Sequence, residues 1–125
     1  VIDRSVVIVG SGPAGTSTVL HLLKHDPALA GEIVLIDKAV HPRDKTCAGG
    51  LIPHTLDCLQ ELDVPLSVPH VRVNRAYVRV PPSREVFCDD GGMCSIIRRD
   101  EFDFSLVRAA RKRGAVVREG EKVVE

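Results

Sequence analysis

The 125-residue chain carries 17 basic and 17 acidic side chains and 44% hydrophobic residues, the balance of a single globular domain with no net field to draw in nucleic acid. No apolar run reaches the roughly 18 residues that cross a bilayer, and Val1-Ile2-Asp3-Arg4 lacks the regions of a signal peptide, so the expected location is cytoplasmic, with reduced thiols. The cysteines at 47, 58, 88 and 94 form no Cys-x-x-Cys pair and no zinc-like Cys/His spacing, which speaks against a metal site.

Ser5-Val6-Val7-Ile8-Val9 is a continuous β-branched run, the pattern of a strand buried on both faces of a parallel sheet. It runs into Gly10-Ser11-Gly12-Pro13-Ala14-Gly15. Pro13 suits the first turn of a helix, and Thr16, Val19, Leu20 and Leu23 recur at helical spacing as far as His25, where Asp26-Pro27 stops it. Ile33-Val34-Leu35-Ile36 reads as a second buried strand. Strand, helix and strand make a βαβ unit with a right-handed crossover, so the fold class is α/β and Rossmann-like.

Charged, glycine-rich coil follows from Lys38 to Gly50, and beyond Pro53 the spacing of Leu56, Leu59 and Leu62 predicts a short helix. From Val71 to Val80 the pattern alternates. Pro81-Pro82-Ser83 then separates it from Arg84-Glu85-Val86-Phe87-Cys88, which predicts a β-hairpin with one wet face. Asp100 is expected to cap a helix with Asp103 in its third position. Phe102, Leu106 and Ala110 share a face, and Arg111-Lys112-Arg113 before Gly114 suits the helix end. Ala115-Val116-Val117 and Lys122-Val123-Val124 read as two more strands, and the chain stops at Glu125 without a closing element, as a truncated domain would.

The glycine loop follows a strand and opens a helix inside the βαβ unit, the context that raises a Gly-x-Gly-x-x-Gly pattern above chance. Gly10 permits the tight turn, Gly12 lets a pyrophosphate approach the backbone, and Gly15 allows close packing of helix on strand. The helix N-terminus offers N–H groups and partial positive charge to the phosphates. Asp37 ends the second strand about 20 residues beyond the loop, where a carboxylate accepts ribose hydroxyls and repels a 2′-phosphate. These residues leave FAD and NAD both open. The five histidines stand without a convincing triad partner, and Cys58, Cys88 and Cys94 are read as packing residues.

Four stretches, Ser5 to Gly15, Ile33 to Lys38, Pro42-Arg43-Asp44-Lys45-Thr46-Cys47-Ala48-Gly49-Gly50-Leu51 and Arg99-Asp100-Glu101-Phe102-Asp103, together resemble the geranylgeranyl reductase family of flavoproteins, whose fold is like that of p-hydroxybenzoate hydroxylase. The Lys45-x-Cys47-x-Gly49-Gly50 run is its most specific part, because hydroxylases of the same group usually lack that cysteine and glycine pair. The resemblance implies an FAD-binding domain in residues 1–70 and 98–125, interrupted by a strand excursion at 71–97 that belongs to a substrate domain. It implies FAD contacts from Gly10, Gly12, Pro13, Ala14 and Gly15, from Asp37, Lys38 and Arg43, and from Cys47, Ala48, Gly49, Gly50, Arg99 and the backbone of Val123. Cys47 would lie near the isoalloxazine ring and is the candidate catalytic residue. Its plain alternative is a small residue in a glycine turn. Asp103 is assigned to capping.

The family's later Gly-Asp flavin segment and most of its substrate domain have no counterpart here, so the chain resembles an N-terminal portion, expected to be inactive alone. The function implied is FAD-dependent reduction of isoprenoid double bonds in a small-molecule or prenyl-lipid substrate. Electrons would come from NAD(P)H or an electron-carrier protein, with peripheral membrane contact a consequence of a prenyl substrate. A flavin monooxygenase or halogenase of the same fold is the enzymatic alternative, and a non-catalytic dinucleotide-binding module the other.

Overall fold

In a computed structural model, which describes residues 5–82 and 84–124 and the side chains of all of these except Val78 and 84–91, the elements follow the chain as β1 (Val6–Val9), α1 (Pro13–His25), β2 (Ile33–Asp37), β3 (Gly50–Leu51), α2 (Pro53–Glu61), β4 (His70–Val80), β5 (Arg84–Ile97), α3 (Arg99–Lys112) and β6 (Val116–Glu119). They divide into two units. The first holds the residues up to Lys45 and those from Arg99 onward; the second is Thr46–Arg98. In this division α2 and the Cys47 segment group with the hairpin.

The first unit is built on a parallel sheet in the order β1-β2-β6, with Val6 opposite Ile33 and Val34 opposite Val116. Its central strand is the most buried. Ile33, Val34, Leu35 and Ile36 are all buried, and α1 and α3 pack on each other beside them through Val19, Leu20, Leu23, Phe102, Leu106, Val107 and Ala110. The α1 helix ends where predicted: Pro27 brings no N–H, and the Asp26 carboxylate turns outward from the helix to accept the Ala28 N–H at 3.0 Å. Lys24 and His25 lie in the last turn, where positive charge suits the helix dipole.

Three expectations need correction here. The β1 strand is not buried on both faces, since Val7 and Val9 are 45% and 63% exposed; among the described residues no element covers that side. No strand forms at 122–124, because β6 stops at Glu119 and Gly120 turns the backbone with φ +75. Asp100 does not cap α3 from outside. The helix already begins at Arg99, and Asp100 and Glu101 occupy its first turn.

The second unit is an antiparallel sheet in the order β3-β5-β4, with α2 packed on β5 and with Leu51, Leu59, Leu62, Val64 and Ile97 buried. The hairpin is longer than its alternation suggested. The β5 strand continues past Cys88 to Ile97, and its ladder with β4 steps from Arg75 opposite Asp89 to Val73 opposite Cys94, so residues 90–93 bulge against Asn74. Gly91 and Gly92 carry no side chains to hold that stretch flat. The expected faces of Val86-Phe87-Cys88 lie outside the described side chains. Gly49 enters this sheet at φ +74, and a Cβ there would meet the Ile97 carbonyl oxygen at 2.1 Å. Among the described residues, no helix is long and apolar enough to cross a membrane.

Loop and helix meet tightly in the first unit. Gly10 sits at φ +100, and a Cβ on Gly15 would fall 1.8 Å from the Gly10 carbonyl oxygen, a contact that only backbone displacement relieves. At Gly12 the nearest atom would be Arg43 Nη2 at an ordinary 3.5 Å. Gly15→Ala is therefore expected to cost about 2–3 kcal/mol of stability and Gly12→Ala, at the helix N-cap, about 1 kcal/mol or less. Urea midpoints check the order, and equal losses at the two positions contradict it.

Candidate functional site

The end of β1, the glycine loop and the start of α1 form one edge of the site. The N-terminus of α1 has no capping side-chain hydrogen bond and no acidic residue in its first turn, so its partial positive charge is left for an external anion. Gly12 is the N-cap, with φ −69 and ψ −179. An ordinary residue can adopt that backbone, and the protein leaves space for a Cβ; absence of a side chain at Gly12 thus opens the surface without serving the fold. Pro13, Ala14 and Gly15 continue as the first helical turn.

Beside this edge a cavity of about 580 Å³ is lined by Gly10, Asp37, Lys38, Arg43 and Val123 among others, a volume within the usual range for ligand pockets. All five were singled out in the sequence. Val123 takes its place from an irregular segment that follows β6, where the Glu121 N–H donates to the Asp37 carbonyl at 3.0 Å.

Asp37 is held from within the protein. Its Oδ2 accepts the Ser11 N–H and the Ser11 hydroxyl, both at 2.7 Å, and its Oδ1 accepts the Ala39 N–H at 2.9 Å. A carboxylate offers about four acceptor positions, so capacity remains for a sugar hydroxyl. Burial pushes this carboxyl up, but the bonds from Ala39 and Ser11 and the charge of Arg43 outweigh it and hold its pKa below the ordinary value. Asp37 therefore stays an acceptor, as ribose recognition requires.

Beneath the loop lies a network that the sequence did not disclose. His41, with its side chain fully enclosed, places Nδ1 2.7 Å from Glu119 Oε1 on β6 and Nε2 3.5 Å from the Ser11 hydroxyl. Its backbone N–H also donates to Glu119 Oε1 at 2.8 Å, and Arg111 of α3 pairs with Glu119 Oε2. Burial raises the Glu119 pKa, and the bonds from His41 and Arg111 more than reverse this, leaving it lowered. The network ties the segment after β2 to both the glycine loop and β6. Nothing in local spacing marks it, because His41 and Glu119 are 78 residues apart.

Arg43 and Arg99 come together on Asp103. The carboxylate of Asp103 is fully buried; Arg99 reaches it through Nε at 2.8 Å and Nη2 at 2.9 Å, and Arg43 through Nη2 at 3.2 Å. Asp103 is the fifth residue of α3, so its assignment to capping is corrected: it neutralises arginines. The Arg99/Asp103 spacing of four was a readable sign of pairing, whereas Arg43 was beyond local pattern.

Cys47, Ala48, Gly49 and Gly50 belong to the second unit. Cys47 is exposed and accepts the Gly49 N–H at 3.4 Å, and Cys58 and Cys94 are half-buried. The Cys88 side chain lies outside those described.

The folded-state pKa values of Asp37 and Glu119 are both depressed. Such groups stabilise the fold above their unfolded pKa of roughly 4 and lose that contribution as pH falls through the lower folded value. Stability is expected to fall with acidification below about pH 4, and less steeply in Asp37→Asn and Glu119→Gln, measured as urea midpoint against pH. Wild-type slopes in both variants contradict the assignment.

The chain matches no protein-family model. Two curated proteins, an uncharacterized protein of Methanosarcina barkeri and a menaquinone reductase of Mycolicibacterium smegmatis, are each 33% identical to it over 96% of this chain. The chain spans 30% of the length of each. Among solved structures, a geranylgeranyl bacteriochlorophyll reductase-like protein of Thermoplasma acidophilum superposes with a TM-score of 0.74 at 24% identity, covering 92% of this chain and 29% of that one. The flavin-dependent halogenase CmlS gives 0.74 at 26% identity, over 100% of this chain and 24% of its own. The glycine loop, the Asp37 cavity and the parallel sheet thus sit in the Rossmann-like FAD-binding fold shared by flavin-dependent oxidoreductases and halogenases.

Proposed function

We propose that the first unit holds the adenosine diphosphate half of FAD, and that the full-length protein is an FAD-dependent reductase of isoprenoid double bonds. The observation that carries the cofactor reading is Gly12. Its bare backbone at an uncapped helix N-terminus, with Arg43 Nη2 alongside, provides donors and positive charge where a pyrophosphate approaches. Asp37 would accept the ribose hydroxyls, while Lys38 and the backbone of Val123, which line the same cavity, would border the adenosine. Arg99 shares the Asp103 carboxylate with Arg43.

FAD, when bound, would carry the electron pair from donor to substrate; the protein's part is to bind, orient and exclude water. Cys47, in its exposed glycine turn, is assigned to the flavin ring together with Ala48, Gly49 and Gly50, on the family resemblance of that run. The reductase reading rests on the same Lys45-x-Cys47-x-Gly49-Gly50 run and on the names of two similar proteins as a menaquinone reductase and a geranylgeranyl bacteriochlorophyll reductase-like protein. NAD(P)H or an electron-carrier protein would supply the electrons. A prenyl-lipid substrate would bring the protein to a membrane surface. The 26% identity to a halogenase over the whole chain favours one second reading, a flavin-dependent halogenase or monooxygenase. Alkene saturation without oxygen consumption separates the first from the second.

Full-length protein is expected to purify with a flavin absorbance spectrum and to release FAD on denaturation. Gly12→Val should weaken retention by about 3 kcal/mol, roughly a hundredfold, while the fold survives. Undiminished flavin absorbance after gel filtration of that variant overturns the pyrophosphate assignment. Cys47→Ser should keep its flavin and lose reductive turnover. Equal turnover removes Cys47 from the chemistry.

A further inference from the structure

Asp103 is fully buried in the second turn of α3. A carboxylate so placed is costly unless charged donors surround it, and this one has two guanidinium groups from separate parts of the chain. Arg99 grips it in a two-point fork. Arg43, from the segment after β2, adds one nitrogen, and that same Nη2 stands 3.2 Å from Asp103 and 3.5 Å from the point that a Cβ on Gly12 would occupy. Dipole compensation does not explain the site, because Asp100 and Glu101 already occupy the first turn. The contact with Asp103 keeps the Arg43 guanidinium beside the glycine loop, and the side chains of Arg43 and Arg99 are only 17% and 18% exposed.

We propose that Asp103 is a positioning residue for the cofactor's pyrophosphate: it fixes Arg43 against Gly12 so that the arriving anion meets a guanidinium already in place. This rests on the dinucleotide reading above. A free arginine on a loop would have to be immobilised by the ligand, and that cost is paid in advance by the Asp103 contact. Arg99 occupies both oxygens of the carboxylate and leaves Arg43 a single-nitrogen contact. Asp103 acts only through Arg43, so its removal weakens recognition of phosphate and leaves recognition of the nucleoside intact.

The test uses apo full-length protein, titrated calorimetrically with ADP and separately with adenosine. Asp103→Asn, which keeps shape and removes charge, is expected to weaken ADP binding about tenfold and to leave adenosine unchanged. Arg43→Ala should give a similar loss, and the double variant no further loss. A parallel fall for ADP and adenosine, or additive losses in the double variant, makes Asp103 a structural residue only and overturns the proposal. Should Asp103→Asn fail to fold by circular dichroism, Arg43→Lys decides: it keeps the charge without the planar fork, so ADP affinity must fall about tenfold, and wild-type affinity contradicts a role for fixed geometry. If wild-type protein binds neither ADP nor FAD, the dinucleotide reading itself fails, a result distinct from all of these.

Discussion

Between Gly15 and the carbonyl oxygen of Gly10 there is no space for a methyl group, and the site in the first unit follows from that contact. Because α1 begins against the end of β1, its uncapped N-terminus opens at the C-terminal ends of the strands, where Asp37 also emerges from β2. A looser junction would carry the helix dipole away from the carboxylate. Gly10 and Gly15 serve this closeness, and Gly12 does not: its neighbour is a charged side chain at ordinary contact distance. One loop thus divides its glycines between fold and ligand.

Much of this was readable because it is local. The boundaries of α1 follow from Pro13 and Asp26-Pro27, β2 from four consecutive apolar residues, and α3 from its apolar spacing and basic last turn. What escaped depends on residues far apart in the chain. Asp103 looked like a cap because Arg43, its second partner, lies 60 residues earlier. His41 looked solitary because Glu119 reaches it only after β6 has joined β2. The apolar letters of Val7 and Val9 suggested burial on two faces, yet apolarity tells what burial would favour and not which element supplies it. The same limit applies at 122–124, where Lys122 and Val123 of a strand-like run instead border the cavity once Gly120 has turned the backbone.

Two acid centres support the loop, one part-buried on Asp37 and Glu119 and one fully buried on Asp103. Ser11 links Asp37 to His41 and Glu119 below it, and Asp103 holds Arg43 beside Gly12. Both centres draw residues from α3 and the segment after β2, and the first also from β6, which explains how elements separated in the chain by the whole second unit are locked into one surface around the loop. The acidic side of the surface suits hydroxyl recognition and the basic side suits phosphate, the polarity that an adenosine diphosphate presents along its length.

The most direct test of that claim is hydrogen exchange of the full-length protein with and without FAD, followed by mass spectrometry. Peptides covering residues 10–16 and 37–43 are expected to gain protection on FAD binding. Flavin binding that leaves both peptides unchanged, with protection only elsewhere, would place the cofactor outside the glycine loop and contradict the account.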